Sequence, residues 1–288
     1  RTMKFMILTS GNFWRENMGK KIKIISGWSN EGGSTFSLME LCELFNERGY
    51  DCTFYGPHNW HLDKCKGDHI HNLKVEEGDT LIGHFLELPE PYFPARMTVL
   101  SCHEKEIFKL KEKNIKGYEK IRFVSEDQMS WQGVYGKVIP NCIRGVKLSK
   151  EPEGKVAGVI GTITEGKQAH VSIERAIKDG CDKVLIYGNM YDEGYYNSKV
   201  KPLLNDGSGD NIPVIYMGME MDKQKIYDSI SCVYQSNSDN LPEAYGRVRA
   251  ECIRAGIEFH GNKNCMIKNL EIWDEDKIFD AWMELLKL

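Results

Sequence analysis

Short apolar runs alternate with longer amphipathic runs along most of this chain. From Lys20 onward the apolar runs have the length of strands, and the runs between them place apolar residues on one side at helical spacing. This alternation is typical of βα units that build a mostly parallel sheet. The pattern therefore predicts an α/β protein.

The first half of the chain contains five predicted strands and one well-marked helix. The strands are KIKIISGW, DCTFYGP, TLIGHF, MTVLSCH and KIRFVSE, and GKVIPNCI ends this half. The helix follows a glycine-rich turn after the first strand, and Gly49 closes it. Its apolar side consists of Phe36, Leu38, Leu41, Cys42, Leu44 and Phe45. This half therefore opens with a complete βαβ unit.

A polar stretch, KLSKEPEGK (147–155), separates the two halves and has the composition of a linker. We therefore expect a Rossmann-like N-terminal domain over 1–150 and a Rossmann-like C-terminal domain over 151–288. The second half repeats the alternation and ends in IWDEDKIFDAWMELLKL, an amphipathic helix that we expect to pack back on the first domain. Two facing α/β domains form a cleft between the carboxyl ends of their strands, where open α/β folds bind ligands.

The composition is that of a soluble globular protein. Hydrophobic residues make up 41% of the 288 residues and charged residues 28%, and the net charge of -4 offers no basic field for nucleic acid. Because the chain shows neither 18 consecutive apolar residues nor a leader-peptide pattern, we expect a cytoplasmic protein. The nine scattered cysteines indicate free thiols. Residues 1–17 fit either an added extension or an extra edge strand.

The stretch LPEAYGRVRAE holds two glutamates, Glu243 and Glu251, around a Tyr-Gly pair. A helix is predicted to begin near Tyr245, so the free N–H groups of Tyr245, Gly246 and Arg247 would face an anion at its positive end. Gly246 lets the backbone approach closely. Two solvated helix glutamates are the alternative interpretation.

Several segments resemble retaining GT-B glycosyltransferases of family 4. GWSNEGGSTFSLMELCELFNERGYDCTFYG looks like the opening βαβ unit of that family, and VIPNCI resembles its IPNG segment. VIGTITEGK resembles the phosphate-binding loop, and the segment from VIYMGM to Gly256 is similar to the base-binding strand and the E-x7-E motif. The resemblance implies a GT-B fold, with two Rossmann-like parallel-sheet domains facing across a cleft.

The resemblance also implies roles for particular residues. Glu251 is expected to accept the ribose hydroxyls of a nucleotide, and Glu243 to bond hydroxyls of the donor sugar. Lys167 is expected to neutralise the departing nucleoside diphosphate. The family pairs this lysine with an arginine five residues earlier, where this chain has Thr162. Either Arg247 or Arg144 supplies the second positive charge, or the enzyme is weak or unusually selective. For Lys167 the alternative interpretation is a plain surface lysine.

Further positions of the resemblance carry weaker signals. Gly32 and Gly33 would bring the backbone against a phosphate or a sugar, although a tight turn explains a glycine pair equally well. His103 corresponds to a family histidine near the reacting sugar, with a structural histidine as the alternative. The backbone of Met219 is expected to contact the base. His84 ends another strand at the cleft, and the structural interpretation is favoured there.

A metal site is not expected, since the chain lacks the H-E-x-x-H and P-loop motifs. A cluster of histidines and cysteines within twenty residues is the competing candidate for a metal site. Its residue types fit a zinc site, but the spacing of its cysteines does not. Its members are Cys52, His58, His61, Cys65, His69 and His71. A polar loop near the acceptor side is the favoured interpretation.

The resemblance implies a retaining, metal-independent hexosyltransferase without a cofactor. The donor would be a UDP or GDP sugar, and the acceptor a glycan, a lipid-linked molecule or a small molecule; no nucleic-acid partner is expected. A nucleotide-sugar epimerase and a non-catalytic nucleotide-sugar-binding subunit are the alternatives, and Thr162 favours the latter. KLKEKNIKGYEKIR (109–122) is a candidate for peripheral membrane contact, with a solvated charged face as the alternative.

Overall fold

The computed structural model describes residues 21–27, 32–57, 65–84, 87–88, 93–103, 110–150, 152–208 and 211–288. Within these ranges the chain forms two parallel β-sheets, one from each half of the sequence, with helices packed against them. The predicted alternation of strands and helices is confirmed. The segment 1–17 lies outside the described residues.

Seven strands form the first sheet in the order β3-β2-β1-β4-β5-β6-β7, and all neighbouring pairs are parallel. The strands are β1 (Lys21–Ser26), β2 (Asp51–Gly56), β3 (Gly67–His69), β4 (Thr80–His84), β5 (Met97–Cys102), β6 (Lys120–Phe123) and β7 (Lys137–Val138). The central strands β4 and β5 are buried along their whole length, as expected for a sheet covered on both faces.

The helices of the first half are α1 (Gly33–Glu47), α2 (Glu112–Ile115) and α3 (Glu126–Gln132). Helix α1 packs its predicted apolar side on β1 and β2, where Leu38, Leu44 and Phe45 are almost inaccessible to solvent. The helix ends before Gly49, which has a φ of +86° that glycine adopts without steric cost.

Five parallel strands form the second sheet in the order β10-β9-β8-β11-β12. They are β8 (Val156–Ile160), β9 (Lys183–Tyr187), β10 (Val214–Gly218), β11 (Cys232–Gln235) and β12 (Glu258–Gly261). The helices of this half are α4 (Ala169–Lys178), α5 (Glu193–Tyr195), α6 (Lys223–Asp228), α7 (Arg247–Ala255) and α8 (Glu275–Leu286). After α5 the chain continues through a π-helical turn, Tyr196–Val200, and a 3₁₀ turn, Lys201–Leu203.

Each sheet has one point at which the strand order reverses. The chain moves outward from β1 to β3 and returns with β4 on the other side of β1; in the second sheet β11 returns beside β8. Loops on either side of such a point diverge and leave a crevice at the carboxyl ends of the strands. The two reversal points therefore indicate where ligands bind.

Helix α8 follows the second sheet in sequence but packs into the core of the first. Ile278, Trp282 and Leu286 are buried with Phe45 of α1, and the Trp282 ring lies 6.2 Å from the Phe45 ring, edge to face. The guanidinium of Arg122 lies 5.6 Å from the centre of the Trp282 ring. The predicted domain division at residue 150 stays a prediction.

All nine cysteines are free thiols, and eight of them are buried, as expected for small apolar residues in the core. Among the residues that the structure describes, no helix combines the length and the apolar character needed to cross a membrane.

Candidate functional site

A cavity of about 130 Å³ lies at the carboxyl ends of β8 and β9, with α1 of the first half on its opposite side. Five predicted site residues line it together with Lys223: Gly33, Thr162, Met219, Arg247 and Glu251. The loops after β8 and β9 touch closely here, since a Cβ on Gly188 would lie 1.8 Å from the carbonyl oxygen of Gly161. These loops therefore need glycine at residue 188.

The helix that carries Glu251 begins two residues later than predicted, at Arg247 rather than near Tyr245. Gly246 has a φ of +70°, a left-handed conformation that cannot belong to the helix. The first-turn amides without a helical acceptor are therefore those of Arg247 and the residues after it, not those of Tyr245. The Tyr245 side chain is 4% exposed, and its hydroxyl donates to the Glu271 carbonyl at 3.1 Å, so it supports the fold.

Glu251 lies on the second turn of α7, 5% exposed, at the wall of the cavity. Its Oε1 accepts a hydrogen bond from Arg247 Nε at 2.8 Å and lies 3.2 Å from Lys223 Nζ. Its Oε2 accepts a hydrogen bond from the Tyr227 hydroxyl at 2.8 Å. Burial raises the pKa of Glu251, but the neighbouring Lys223 and Arg247 outweigh burial and hold the pKa below its ordinary value. The carboxylate is therefore ionised.

Arg247 joins the two halves of the molecule. Its Nη2 donates to both carboxylate oxygens of Glu40, at 2.7 and 2.6 Å, and its Nη1 donates to Ser37 Oγ at 2.7 Å. Burial lowers the pKa of Arg247, and the carboxylates of Glu40 and Glu251 more than compensate and raise it. The stem of the arginine passes the start of α1, where a Cβ on Gly33 would lie 3.4 Å from Arg247 Cδ.

Lys223, the first residue of α6, completes this ionic cluster. Its ammonium group pairs with Glu40 and Glu251 and lies 5.4 Å from the centre of the Phe36 ring. The preceding Asp222 caps the helix, because its side chain accepts hydrogen bonds from the amides of the first turn. The cluster thus contains two cations and two carboxylates.

Glu243 and Lys167 form a second ionic contact, outside the lining of the cavity. Lys167 Nζ donates to Glu243 Oε1 at 2.6 Å, and the side-chain amides of Asn237 and Gln235 donate to the same oxygen at 3.0 and 3.2 Å. Burial raises the pKa of Glu243, whereas Lys167 and the two amides lower it, and the net shift is downward. None of the described residues donates to Glu243 Oε2.

Lys167 is held in position by its backbone. It ends a 3₁₀ turn, Glu165–Lys167, and the Thr164 hydroxyl accepts a hydrogen bond from the Lys167 amide at 3.3 Å. Its side chain is 27% exposed and that of Glu243 is 19% exposed. A plain surface lysine does not fit this geometry, because the ammonium group is committed to a largely buried carboxylate.

His103 follows β5 and is 9% exposed. Its Nε2 lies 3.1 Å from Arg122 Nη1 and 3.0 Å from Ser101 Oγ. Burial, together with the charge of Arg122, holds the pKa of His103 well below its ordinary value. Because arginine can only donate, Nε2 is the acceptor and the neutral ring carries its proton on Nδ1. That nitrogen is buried and has no partner among the described residues.

His84 ends β4 next to His103, with the ring centres 5.0 Å apart in an edge-to-face arrangement. Its Nδ1 lies 2.9 Å from Ser26 Oγ, and it is 1% exposed. The favoured structural interpretation of His84 fits this burial. Arg122, which the sequence groups with a basic surface segment, is instead 2% exposed and donates to the carbonyl of Ile139 at 2.7 Å.

The remaining predicted positions differ in how close they lie to the cavity. Gly32 has an extended backbone and directly precedes α1, and its carbonyl accepts a hydrogen bond from Phe36 at 3.2 Å. Met219 lines the cavity and is 36% exposed. Arg144 does not line it; it pairs with Glu47 at 2.5 Å, Glu275 at 3.1 Å and Glu43 at 3.7 Å. Arg144 is therefore not placed to supply the missing charge.

The alternative zinc cluster is only partly described. Cys52 is fully buried in the first core, and the rings of His69 and His71 stack 4.5 Å apart. His58 and His61 lie outside the described residues. Within the described part of the chain, no three His, Cys, Asp or Glu side chains are grouped so that they could hold a metal ion.

Three residues that contact Glu251 or Arg247 were not predicted: Glu40, Lys223 and Tyr227. Glu40 gives a signal in retrospect, because it is a carboxylate on the buried side of α1 between Leu38 and Leu41, and glutamate is rarely buried unless it is paired. Lys223 and Tyr227 give no local signal, since both fit the ordinary pattern of a short amphipathic helix.

Comparison with known proteins identifies the fold. The sequence matches no model of a known protein family, and no curated protein sequence matches it. HepE from Anabaena, crystallised with UDP-glucose, has a TM-score of 0.63 and 13% sequence identity, over 84% of this chain and 80% of that one. WaaG, a glycosyltransferase involved in lipopolysaccharide biosynthesis, has a TM-score of 0.59 and 12% identity, over 93% and 90%.

Sucrose-phosphate synthase from Thermosynechococcus elongatus is also similar, with a TM-score of 0.61 and 11% identity over 93% of this chain and 90% of that one. At such identities the similarity shows the fold and not the activity. The chain has the GT-B fold, with two parallel-sheet α/β domains, and the predicted fold class is confirmed.

Proposed function

We propose that the chain is a retaining glycosyltransferase that moves a sugar from a nucleoside-diphosphate donor to an acceptor hydroxyl. The observation that carries the proposal is the position of Glu251. Its ionised carboxylate stands at the wall of a cavity that also receives Met219 and the amino end of α7. A carboxylate beside free helix amides combines acceptors for ribose hydroxyls with donors for a diphosphate.

The nucleotide is bound along this wall. Glu251 Oε2 accepts one hydrogen bond, from Tyr227, so it has capacity for a ribose hydroxyl as well. The base lies against the backbone of Met219, and the diphosphate faces the first turn of α7. The HepE structures contain UDP-glucose or UDP, which supports a uridine donor as the first candidate. A guanosine donor is the second candidate that the resemblance implies.

The sugar lies on the side of Glu243. Lys167 and two amides occupy Oε1, so Oε2 is the oxygen that accepts a sugar hydroxyl. Lys167 also balances the charge that develops on the departing diphosphate. The anomeric carbon gains oxocarbenium character as its bond to the diphosphate oxygen breaks, and the acceptor hydroxyl attacks from the same face and passes its proton to that departing oxygen, so the configuration is retained.

His103 serves this site as a neutral hydrogen-bond donor. Its Nδ1 carries the proton and is buried without a partner among the described residues, which is a position that a sugar or phosphate oxygen satisfies. The acceptor is a glycan, a lipid-linked molecule or a small molecule. Backbone amides and cationic side chains hold the diphosphate, and the reaction uses no metal ion.

The test has two steps. Thermal unfolding with UDP, GDP and ADP identifies the nucleotide, since a ligand that binds the native state raises the unfolding temperature. The matching nucleotide sugar is then supplied, its hydrolysis is followed, and NMR reports the anomer that is first released. Stabilisation by one nucleotide and release of the retained anomer support the proposal; no stabilisation by any of the three contradicts it.

A nucleotide-sugar-binding subunit without turnover is the second candidate. The observation that favours it is Thr162, which leaves the cavity without the arginine that the resemblance leads one to expect. Donor hydrolysis by the wild type and by Glu243→Ala separates the two candidates. Equal and negligible rates, with nucleotide binding intact, indicate the binding subunit; a rate that falls in Glu243→Ala indicates the transferase.

A further inference from the structure

The described lining of the cavity contains two positively charged side chains, Arg247 and Lys223. Thr162 is neutral. Lys167 lies outside this lining, where its Nζ is 2.6 Å from Glu243 Oε1. A diphosphate that enters the cavity brings at least two negative charges away from water, and such charges require paired cations. Arg247 and Lys223 are therefore the groups in the cavity that can balance a diphosphate.

Both cations are held by the same two carboxylates. Arg247 contacts Glu40 at 2.6 Å and Glu251 at 2.8 Å, and Lys223 pairs with the same two glutamates. All four side chains are at most 16% exposed. Two positive and two negative charges cancel, so the cluster as it stands attracts a further anion only weakly.

The two glutamates come from opposite sides of the cavity. Glu251 belongs to α7, the helix that also carries Arg247, whereas Glu40 belongs to α1 of the first half. Each Glu40 oxygen accepts a hydrogen bond from Arg247 Nη2, and Oε1 also contacts Lys223. Oxygen atoms of a phosphate are anionic hydrogen-bond acceptors, as those of this carboxylate are, and arginine and lysine bind both groups. Glu40 is therefore the partner that a phosphate can replace.

We propose that Arg247 and Lys223 bind the diphosphate of the donor, and that Glu40 holds both cations while no donor is present. The inference rests on the proposed nucleotide-sugar site. When the donor binds, phosphate oxygens take the place of Glu40, while Glu251 keeps its bond from Arg247 Nε and accepts a ribose hydroxyl. The two cations supply the charge that is missing at Thr162. Only ionic contacts and hydrogen bonds are exchanged.

The experiment compares a nucleoside diphosphate with its own nucleoside. Calorimetric titrations measure the affinities for UDP and for uridine. The pairs GDP and guanosine, and ADP and adenosine, are titrated in the same way. Glu40→Gln leaves the cluster with one net positive charge and therefore increases the affinity for UDP about tenfold. Lys223→Gln decreases the affinity for UDP about tenfold. Both figures are the lower end of the effect that a neighbouring charge has on an ionic equilibrium. Uridine affinity stays unchanged in both variants.

Two matched controls keep the charge changes away from the cluster. Glu47→Gln removes a carboxylate two turns further along α1, where the partner is Arg144. Lys225→Gln removes an exposed lysine of α6. Both controls bind UDP as the wild type does.

The outcomes separate the inference from the proposed function. If the wild type binds UDP but Glu40→Gln binds it equally or more weakly, or if Lys223→Gln weakens uridine as much as UDP, the cation exchange is wrong and the nucleotide site stands. If the wild type binds none of the three diphosphates, both fail. Should Glu40→Gln not fold, Lys223→Gln with its uridine comparison decides alone.

Discussion

Lys167 and Glu243 lie 76 positions apart in the sequence and meet in a 2.6 Å ion pair. The contact joins the turn after β8 to the segment just before α7. It fixes the carboxylate through one oxygen and leaves the other oxygen without a donor among the described residues. The pair thus keeps Glu243 ionised and oriented.

This pair predicts how stability depends on pH. Since the pKa of Glu243 in the folded protein is below its ordinary value, the pair stabilises the fold above that ordinary value and loses its contribution as the pH falls through the lowered pKa. Unfolding temperatures of the wild type and Glu243→Gln are measured from about pH 3 to pH 7. The wild type is more stable at neutral pH, and the gap closes on acidification. A gap that widens in acid contradicts the assignment.

Tyr227→Phe tests the support of Glu251. The substitution removes the hydroxyl that donates to Oε2 at 2.8 Å and leaves a buried carboxylate oxygen without that donor. We expect the free energy of unfolding to fall by about 1.5–3 kcal/mol, as for hydrogen bonds to charged groups. Chemical denaturation measures the loss. Tyr191→Phe is the control, because this tyrosine is 60% exposed, and equal effects of the two substitutions contradict a special role for Tyr227.

Gly246→Ala tests the start of α7. The residue has a φ of +70°, where a side chain strains the backbone by about 1–2 kcal/mol, although the added methyl group would meet no atom closer than 3.5 Å. We expect that loss in the free energy of unfolding, together with weaker nucleotide binding. Gly78→Ala, in open space and without a positive φ, changes stability by less than about 0.5 kcal/mol. Stability unchanged by Gly246→Ala contradicts the left-handed start.

Trp282→Ala tests the attachment of the last helix to the first core. The side chain is 1% exposed and lies against Phe45, so its removal leaves a cavity that costs about 3–5 kcal/mol. Denaturation curves measure the loss, and Tyr135→Ala, at a residue 94% exposed, provides the control. A loss below about 1 kcal/mol shows that α8 does not hold the core together.

The buried strands were predictable because parallel strands covered on both faces consist of near-continuous apolar runs, as β4 and β5 show. β3 and β12 were missed for the opposite reason. Gly67–His69 and Glu258–Gly261 are short, half-exposed edge strands, and their few polar residues carry no period that distinguishes a strand from a loop.

The start of α7 was predicted two residues early because apolar periodicity continues through the Tyr-Gly pair. The left-handed conformation of Gly246 ends that continuity, and a pattern of residue types does not report a φ angle. The same limit applies at residue 188. Glycine is required there because the carbonyl of Gly161, on a neighbouring loop, leaves no room for a Cβ atom.

The ionic cluster shows most clearly what local patterns leave out. Glu40 and Arg247 are 207 positions apart, and their contact exists only because α1 and α7 meet across the two halves. Arg247 is a candidate in the sequence because it follows the Tyr-Gly pair, but no residue close to it in the sequence indicates which carboxylate it contacts. Arg144, equally favoured by the sequence, is held by three glutamates elsewhere.

A crystal structure with UDP-glucose tests the central claim most directly. The account predicts the uridine ribose within hydrogen-bond distance of Glu251, the diphosphate at the first turn of α7, and a glucose hydroxyl on Glu243. A nucleotide bound elsewhere, with Glu251 still held only by Tyr227, Arg247 and Lys223, would contradict it.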